Sequence, residues 1–408
     1  MGLRRRRFRI FEFAFLGALL FVLFQNCSGT GFQLQDATQA LSQTDLGSQT
    51  PDSPSNPGTT SPLLKTRFYY GRSRGVDILE LDHKTGVMTQ MASTDFAGTT
   101  IGWLSYHQPV NTVFAADADG AVLQLFDYST ANGSITSKTI FPSFSSQIVH
   151  LTVQPRTQGG FSLFGASYNR GSLDHVLLND NMAQLTPSQS VAFGANAKTH
   201  SSSYDSVRKL LYVANLGNNK IDVYSFSEIS GLTALTSIMV TAPRTVVYDS
   251  TYDKVFVATE ASTGNSYIRI FSVTPSGASF IYTDVGSLAM PLTGGDLKVN
   301  HAYRYVMATA REAGKEAIYG LPITTTGVVD TIRQSFSIPV TQSLPRALEI
   351  TEDGLYAVVG MNSSTAENVV AYKMTFNAQL GYVSSQKIFE KKIDNTGGYL
   401  CGLAIPVR

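Results

Sequence analysis

The side chains that could carry catalytic or metal chemistry are few and widely spaced in this sequence. The chain has six histidines and two cysteines among 408 residues, and the histidines lack zinc-type ligand spacing. GRSRG (71–75) matches the G-x-S-x-G pattern of a nucleophile elbow, but no helix follows it, so we attribute the match to chance. His200 opens the stretch HSSSYDSVRKLLYVANLGNNKIDVYSF, in which polar turns alternate with apolar strands. The other histidines, His150 apart, are expected at turns or on the surface: His83, His107, His175 and His301.

Cys27 carries a separate chemical prediction. A basic segment is followed by the apolar run FAFLGALLFVLF (13–24), which is shorter than the roughly 20 residues of a membrane span, so residues 1–26 are predicted to be a secretory signal. Cys27 ends this segment and resembles the lipobox cysteine of bacterial lipoproteins, whose thiol is acylated. Phe24-Gln25-Asn26 departs from the usual Leu-small-small triplet, and an ordinary cleaved signal with an incidental cysteine is the alternative. We expect an exported lipoprotein, anchored to a membrane through its N-terminal lipid, in the periplasm or at the outer membrane.

A polar segment separates Cys27 from the rest of the chain. Residues 28–64 contain no Lys or Arg and are rich in Ser, Thr, Gln, Gly and Pro, a composition that cannot bury enough apolar surface to fold. We predict that residues 27–64 form the lipidated cysteine and a disordered tether. The whole chain carries 31 basic and 30 acidic residues, so its composition gives no sign of nucleic-acid binding. With Cys27 acylated, Cys401 has no partner for an intramolecular disulfide.

Residues 65–408 repeat one phrase: an apolar strand, a small polar turn, a second strand and a glycine turn. The copies are about 48 residues apart, a period typical of β-propeller blades. Seven central strands can be aligned on the runs RFYY, NTVF, FSLF, LLYV, VFVA, YVMA and LYAV. The C-terminal GGYLCGLAIPVR is left over and fits as the innermost strand of the blade that starts at Arg67. The sequence therefore predicts an all-β, seven-bladed propeller, closed by pairing of its N- and C-terminal strands in one blade.

The sequence pattern of these blades resembles that of the lactonase family of seven-bladed propellers, which includes bacterial-type 6-phosphogluconolactonases. LLYVANLGNNKIDVYSF is similar to the family's strand-turn-strand phrase, and PRTVVYDSTYDKVFVATE and PRALEITEDGLYAVVG open a blade with Pro-Arg as the family does. CGLAIP resembles the family's closing strand. The resemblance covers residues 66–406, and it is more specific for the fold than for the chemistry, because propellers host many functions.

The resemblance implies a polar site at the mouth of the central channel, formed by the ends of inner strands. Carried over residue by residue, the catalytic positions fall on His200, Arg244, Glu260 and Arg311. The implied substrate-binding positions are His150, Tyr168, Lys198, Lys298 and Arg346. Lys198 and Lys298 stand where the family has histidines, and lysines are poor proton shuttles near neutral pH.

Lactone opening needs a base for water, cations for an acidic substrate and a donor for the developing oxyanion. Glu260 or His200 is the expected base, and Arg244 and Arg311 present the planar fork that binds carboxylate or phosphate. We expect no cofactor, no metal and a monomer, with a small acidic molecule or an envelope protein as partner. The alternatives are a non-catalytic envelope propeller that binds a small anion or a protein, a purely structural role, or an ion-pair network without function.

Overall fold

The computed structural model describes residues 63–72, 75–95, 101–107, 112–117, 122–128, 135–142, 144, 148–185, 188–277, 279–340, 344–362, 368–392 and 401–407. Cys27, the predicted signal 1–26, nearly all of the predicted tether 27–64, and Ser73 of GRSRG lie outside these residues. The described part of the chain contains no helix with the length and apolar character that a membrane crossing requires.

The described strands form seven antiparallel four-stranded sheets, the blades, each with an innermost strand and three further strands outside it. In blades one to three these are β28 (Cys401–Val407), β1 (Lys65–Arg72), β2 (Gly75–Asp82) and β3 (Val87–Asp95); β4 (Ile101–His107), β5 (Thr112–Asp117), β6 (Val122–Tyr128) and β7 (Ile135–Pro142); β8 (Ile148–Pro155), β9 (Phe161–Ser167), β10 (Ser172–Leu178) and β11 (Gln189–Ala192). In blades four and five they are β12 (Thr199–Asp205), β13 (Leu210–Asn215), β14 (Lys220–Ser227) and β15 (Gly231–Met239); β16 (Pro243–Asp249), β17 (Lys254–Thr259), β18 (Ser266–Ser276) and β19 (Ser279–Met290). In blades six and seven they are β20 (Gly294–Asn300), β21 (Tyr305–Ala310), β22 (Ala317–Pro322) and β23 (Phe336–Pro339); β24 (Pro345–Ile350), β25 (Tyr356–Met361), β26 (Val369–Asn377) and β27 (Gly381–Lys391).

The innermost strands close a ring. β28 contacts β4, each following inner strand contacts the next one along the chain, and β24 contacts β28 again. β28 pairs with β1 over seven residue pairs, from Lys65 with Val407 to Gly71 with Cys401. The predicted seven-bladed propeller, and the pairing of its first and last strands in one blade, are therefore confirmed.

The core lies between blades. β13, β17, β21 and β25 are second strands covered on both faces, which is why they read as nearly continuous apolar runs such as LLYVAN. One cluster joins Tyr69 and Ile78 of blade one to Leu104 and Val113 of blade two. Because each blade buries both faces against its neighbours, no single blade is stable alone.

Side chains of one blade form hydrogen bonds with the unpaired backbone groups on the edge of the next blade's inner strand. An inner strand has no neighbour in its own sheet on the channel side, so its backbone groups need other partners. The Ser201 hydroxyl donates to the Arg244 carbonyl at 2.8 Å and accepts from the Val246 amide at 2.9 Å. The Thr245 hydroxyl donates to the Gly295 carbonyl at 3.0 Å. These bonds fix the inner strands relative to one another, and with them the side chains at the channel.

Candidate active site

The inner strands of blades four to seven begin with the same backbone device. The residue before each strand has a positive φ: 49° at Lys198, 44° at Ala242, 58° at Thr293 and 60° at Leu344. A β-bulge follows at once in each strand. A bulge leaves a residue unpaired and turns its side chain out of the ladder, and bulges are common next to active sites. The residues bypassed by the pairing include three of the predicted site residues, namely His200, Arg244 and Arg346.

A second set of positions lies beside these bulges. It consists of the first residue after the second strand of a blade, which reaches the same end of the channel because the two strands are antiparallel. The amide of Glu260 donates to the Ala242 carbonyl at 2.7 Å, and the amide of Arg311 donates to the Thr293 carbonyl at 3.0 Å. Tyr168, which follows β9, occupies the equivalent position of blade three. Predicted residues far apart in the chain thus share one mouth of the channel, which we call the site mouth.

Glu260 bridges two arginines at the site mouth. Its Oε2 accepts from Nη1 of Arg244, and its Oε1 contacts Nη2 of Arg311. The side chains of Arg244 and Arg311 are 9% and 6% exposed, and that of Glu260 is 23% exposed. Burial opposes ionisation of Glu260, but the two guanidinium groups outweigh it and lower the pKa of the carboxyl below its ordinary value. Glu260 is therefore a carboxylate with both oxygens engaged, and this arrangement weakens it as a proton acceptor.

Glu260 and Arg311 border a cavity of about 340 Å³, together with Thr293 and Leu344. A cavity of this size accommodates a small ligand. Burial and the charge of Arg244 lower the pKa of Arg311 to about 9, so this guanidinium is still cationic at neutral pH. Arg311 therefore offers a cation to an incoming anion, in a lining that also carries the carboxylates of Glu260 and Glu312.

His200 lies within electrostatic reach of the arginines. Burial, followed by the positive charges of Arg244 and Arg311, lowers the pKa of His200 well below its ordinary value. Its ring packs edge-on against Tyr168 with the centroids 5.8 Å apart. Since the imidazole is neutral at pH 7, it has a free lone pair and can accept a proton from water. Both predicted bases are unprotonated, and His200 is better suited because both oxygens of Glu260 are engaged by arginines.

His150 is the second histidine of the channel. Its Nδ1 accepts from the Ser202 amide at 3.4 Å, which leaves the proton of the neutral ring on Nε2. The ring packs against Trp103 with the centroids 4.2 Å apart. Burial and the charge of Lys298 lower the pKa of His150 to about 3. His150 can thus donate a hydrogen bond through Nε2 without carrying charge.

The lowered pKa of His150 predicts a loss of stability in acid. Between pH 6.5 and about 3 the unfolded chain binds a proton at this histidine that the folded protein does not bind, so acidification favours unfolding; above pH 6.5 the effect vanishes. We expect the urea midpoint of the wild type to fall more between pH 7.5 and pH 5 than that of His150→Gln. His301→Gln, at a histidine side chain that is 49% exposed, is the control. Equal pH dependence in the wild type and His150→Gln would contradict the prediction.

Of the remaining predicted residues, the two lysines lie apart from the Arg244–Glu260–Arg311 cluster, and Arg346 lies near it. Lys198 is exposed, with Nζ 6.0 Å from the centroid of Tyr168. Lys298 lies further along β20 and contacts Glu349 at 2.9 Å. Although burial opposes it, Glu349 raises the pKa of Lys298, so this lysine stays protonated and committed to an ion pair. Arg346 is close enough for its charge to act on His200 and Arg311.

Several residues around the channel were missed by sequence reasoning. Trp103, the only tryptophan, holds the His150 ring, and its place at the start of an inner strand was the available signal. Ser201 holds the backbone of Arg244, and Glu349 pairs with Lys298. The expectation for His175 was wrong: it lies in β10, 3% exposed, stacked on Phe164 at 4.8 Å. Within the described residues, no group of three or more His, Cys, Asp or Glu side chains is arranged to hold a metal ion.

Comparison with known proteins agrees with this architecture. A family model described as "Lactonase, 7-bladed beta-propeller" matches residues 59–386. Among solved structures, a candidate 6-phosphogluconolactonase from Bacteroides fragilis is similar, with a TM-score of 0.69 and 16% identity over 86% of this chain and 100% of that one. A second from Bacteroides uniformis has a TM-score of 0.68 and 15% identity over 83% and 99%. A periplasmic gluconolactonase from Pseudomonas aeruginosa has a TM-score of 0.69 and 13% identity over 84% and 100%. A search of curated proteins gave no significant match.

Proposed function

The chain belongs to the lactonase family of seven-bladed β-propellers, and from this premise we propose that it hydrolyses a sugar lactone or a related acidic lactone at the site mouth. One observation carries the proposal: Arg244, Glu260 and Arg311 form a contiguous cluster, and the neutral imidazole of His200 lies within its electrostatic reach. Had these residues pointed to different ends of the channel, the enzymatic interpretation would have no basis.

The cations of the site mouth hold the acidic part of the substrate. Arg244 and Arg311 contribute two positive charges, and Glu260 offsets one of them. A carboxylate or phosphate bound at the site mouth accepts charge-assisted hydrogen bonds from these guanidinium groups, which are largely shielded from water. The same cations stabilise the negative charge that develops on the carbonyl oxygen during attack by water. Binding and oxyanion stabilisation thus use one set of groups.

His200 is the proposed general base. It takes a proton from the water that attacks the lactone carbonyl, and it returns that proton to the ring oxygen as the ring C–O bond breaks, while Glu260 keeps Arg244 and Arg311 in place. His150, whose ring is held by Ser202 and Trp103 with its proton on Nε2, is the proposed hydrogen-bond donor to the substrate. A base whose pKa lies well below 6.5 stays unprotonated in mild acid, so hydrolysis should persist at pH values where an ordinary histidine is already charged.

We place this activity in the cell envelope, with the propeller attached through a lipid at Cys27. The basic and apolar segment at 4–24 and the cysteine that follows it support this place. The Pseudomonas aeruginosa protein of similar fold is described as a periplasmic gluconolactonase, which supports both the compartment and the substrate class.

The direct test is hydrolysis of glucono-δ-lactone and of its 6-phosphate by the purified full-length chain, followed by alkali uptake. We expect His200→Gln to lower kcat/KM by about 10²- to 10⁴-fold, the usual contribution of a general base. His301→Gln, at an exposed histidine, should retain full activity. Failure of the wild type to exceed the uncatalysed rate with either lactone would overturn the enzymatic proposal.

A second candidate is a propeller that binds a small anion without chemistry. It is favoured by the engagement of both Glu260 oxygens with arginines, and by the pairing of Lys298 with Glu349 where the family has a histidine. Calorimetry with gluconate and phosphate separates the two candidates. Tight binding that Arg244→Gln abolishes, with no hydrolysis of either lactone, would establish binding as the function.

A further inference from the structure

A second pocket opens in blade five on the face that packs against blade four. Along β17 this face carries Val255 and Val257, which lie in the core shared with blade four. The next side chain on the same face is Thr259, because alternate residues of a strand share a face. On β18 the same face carries Phe271 and Val273, also in that core. The face is therefore apolar over most of its length and becomes polar at the end nearest the site mouth.

The change from apolar to polar coincides with a cavity of about 300 Å³. Arg269 on β18 lines it and donates from Nε to Asp284 at 3.0 Å. Tyr267, also on β18, exposes 37% of its surface. The lining comes from blade five and from Thr241 just before it, and most of its side chains are open to solvent. The apolar face of the blade thus ends in a solvent-accessible polar pocket that contains an aromatic ring.

The pocket is separate from the site mouth although the two share a turn. Thr259 and Ala261 line the pocket, whereas Glu260 between them contacts Arg244 and Arg311. The Thr259 hydroxyl accepts from the Tyr267 amide at 2.8 Å, which ties the turn to β18. Consecutive side chains of one turn thus face two different cavities.

The lining is neutral and rich in hydrogen-bonding groups. The charge of Arg269 is compensated by Asp284, unlike the excess positive charge at the site mouth. Thr241, Thr263, Asn265 and Ser287 add three hydroxyls and one amide to the lining, and all four residues are exposed. These groups offer donors and acceptors beside the exposed ring of Tyr267.

We propose that this pocket binds a neutral saccharide. A sugar ring has an apolar face that can lie on an aromatic side chain and hydroxyls that pair with hydroxyl, amide and ion-pair partners. A carboxylate or phosphate would find Arg269 already paired with Asp284, and an apolar ligand would leave the polar lining unpaired. The proposal goes beyond the lactonase activity and is independent of it, because no residue of the Arg244–Glu260–Arg311 cluster takes part.

Saturation-transfer NMR with the full-length chain tests the proposal, with cellobiose, maltose, lactose and N,N′-diacetylchitobiose as probes at millimolar concentration. At least one disaccharide is expected to bind, and Tyr267→Ala should weaken its binding about tenfold or more. Tyr267→Phe, which keeps the ring, should bind nearly as the wild type does. Ile281→Ala, at an exposed position on β19 outside the pocket, is the matched control and should change nothing.

The outcomes that overturn the proposal are distinct from failure of the lactonase activity. If none of the four disaccharides binds, or if binding survives Tyr267→Ala, the pocket is not a saccharide site. If binding is lost in Arg244→Gln but kept in Tyr267→Ala, the saccharide sits at the site mouth and the proposal for this pocket is wrong. Saccharide binding that depends on Tyr267, with no hydrolysis of either lactone, would support the pocket and overturn only the enzymatic function.

Discussion

Deletion of residues 401–408 is expected to leave the chain unable to reach its native fold. These residues include β28, the inner strand of blade one, which pairs with β1 and contacts the inner strands on both sides. Cys401 and Ile405 are each 3% exposed and belong to the core between blades one and two. Loss of a buried Ile side chain alone costs about 2–5 kcal/mol, and the deletion also opens a whole strand edge. The total exceeds about 5 kcal/mol, which is comparable to the stability of a typical protein.

Far-UV circular dichroism and urea unfolding of the full-length and shortened chains measure this effect. Deletion of Arg408 alone, which follows β28, is the control and should leave the urea midpoint unchanged. A peptide of sequence CGLAIPV supplied in trans should restore part of the native signal, because it can pair with the free edge of β1. A shortened chain that unfolds at the wild-type midpoint would show that closure of the ring contributes little to stability.

Glu260→Gln is expected to lower the free energy of unfolding by about 3 kcal/mol at low salt. The substitution leaves the largely buried guanidinium groups of Arg244 and Arg311 close together without their shared counter-charge. Removal of one partner from a buried ion pair costs about 3–5 kcal/mol, and the partial exposure of Glu260 places this case at the lower end. An anion that binds the two arginines should replace the lost carboxylate, so phosphate should recover much of the stability.

The comparison is made by urea unfolding in chloride and in phosphate at equal ionic strength. Glu312→Gln is the matched control, because Glu312 is a neighbouring acid whose partner Lys315 is 62% exposed. Its loss should cost less than about 1 kcal/mol, and phosphate should restore nothing. The interpretation of the cluster as an anion-binding site would be contradicted by either of two results. One is an unchanged free energy of unfolding in Glu260→Gln, and the other is a Glu260→Gln variant that phosphate does not specifically stabilise.

The fold was readable from the sequence because a propeller repeats one local pattern. The alignment of runs such as LYV and VFV predicted the second strands, and the leftover GGYLCGLAIPVR predicted the closing strand. Both predictions hold, since these runs are buried on both faces and β28 pairs with β1. The residues before the first blade, with Cys27, remain predictions from composition and motif.

The site was only partly readable, because its geometry depends on contacts between blades. The resemblance selected Arg244, Glu260 and Arg311, but the bridging of two arginines by one carboxylate follows from the positions of blades five and six. Lys298 was expected to bind an anionic ligand, whereas it pairs with Glu349, 51 positions away along the chain and on another blade. The alternation of residues within one strand cannot predict an ion pair between two blades. The choice between Glu260 and His200 as base also required the burial of each group.

The repeated positive-φ residue and bulge at the start of four inner strands has an evolutionary consequence. The backbone device is the same whether the bypassed side chain is the imidazole of His200 or the guanidinium of Arg244 or Arg346. The hydrogen bonds that fix the inner strand of Arg244 come from Ser201 to backbone groups rather than to the guanidinium. Single substitutions at these positions can therefore alter ligand preference while the scaffold stays intact. Proteins with this fold can therefore change the side chains at the channel, and with them the ligand, more quickly than they change the backbone structure.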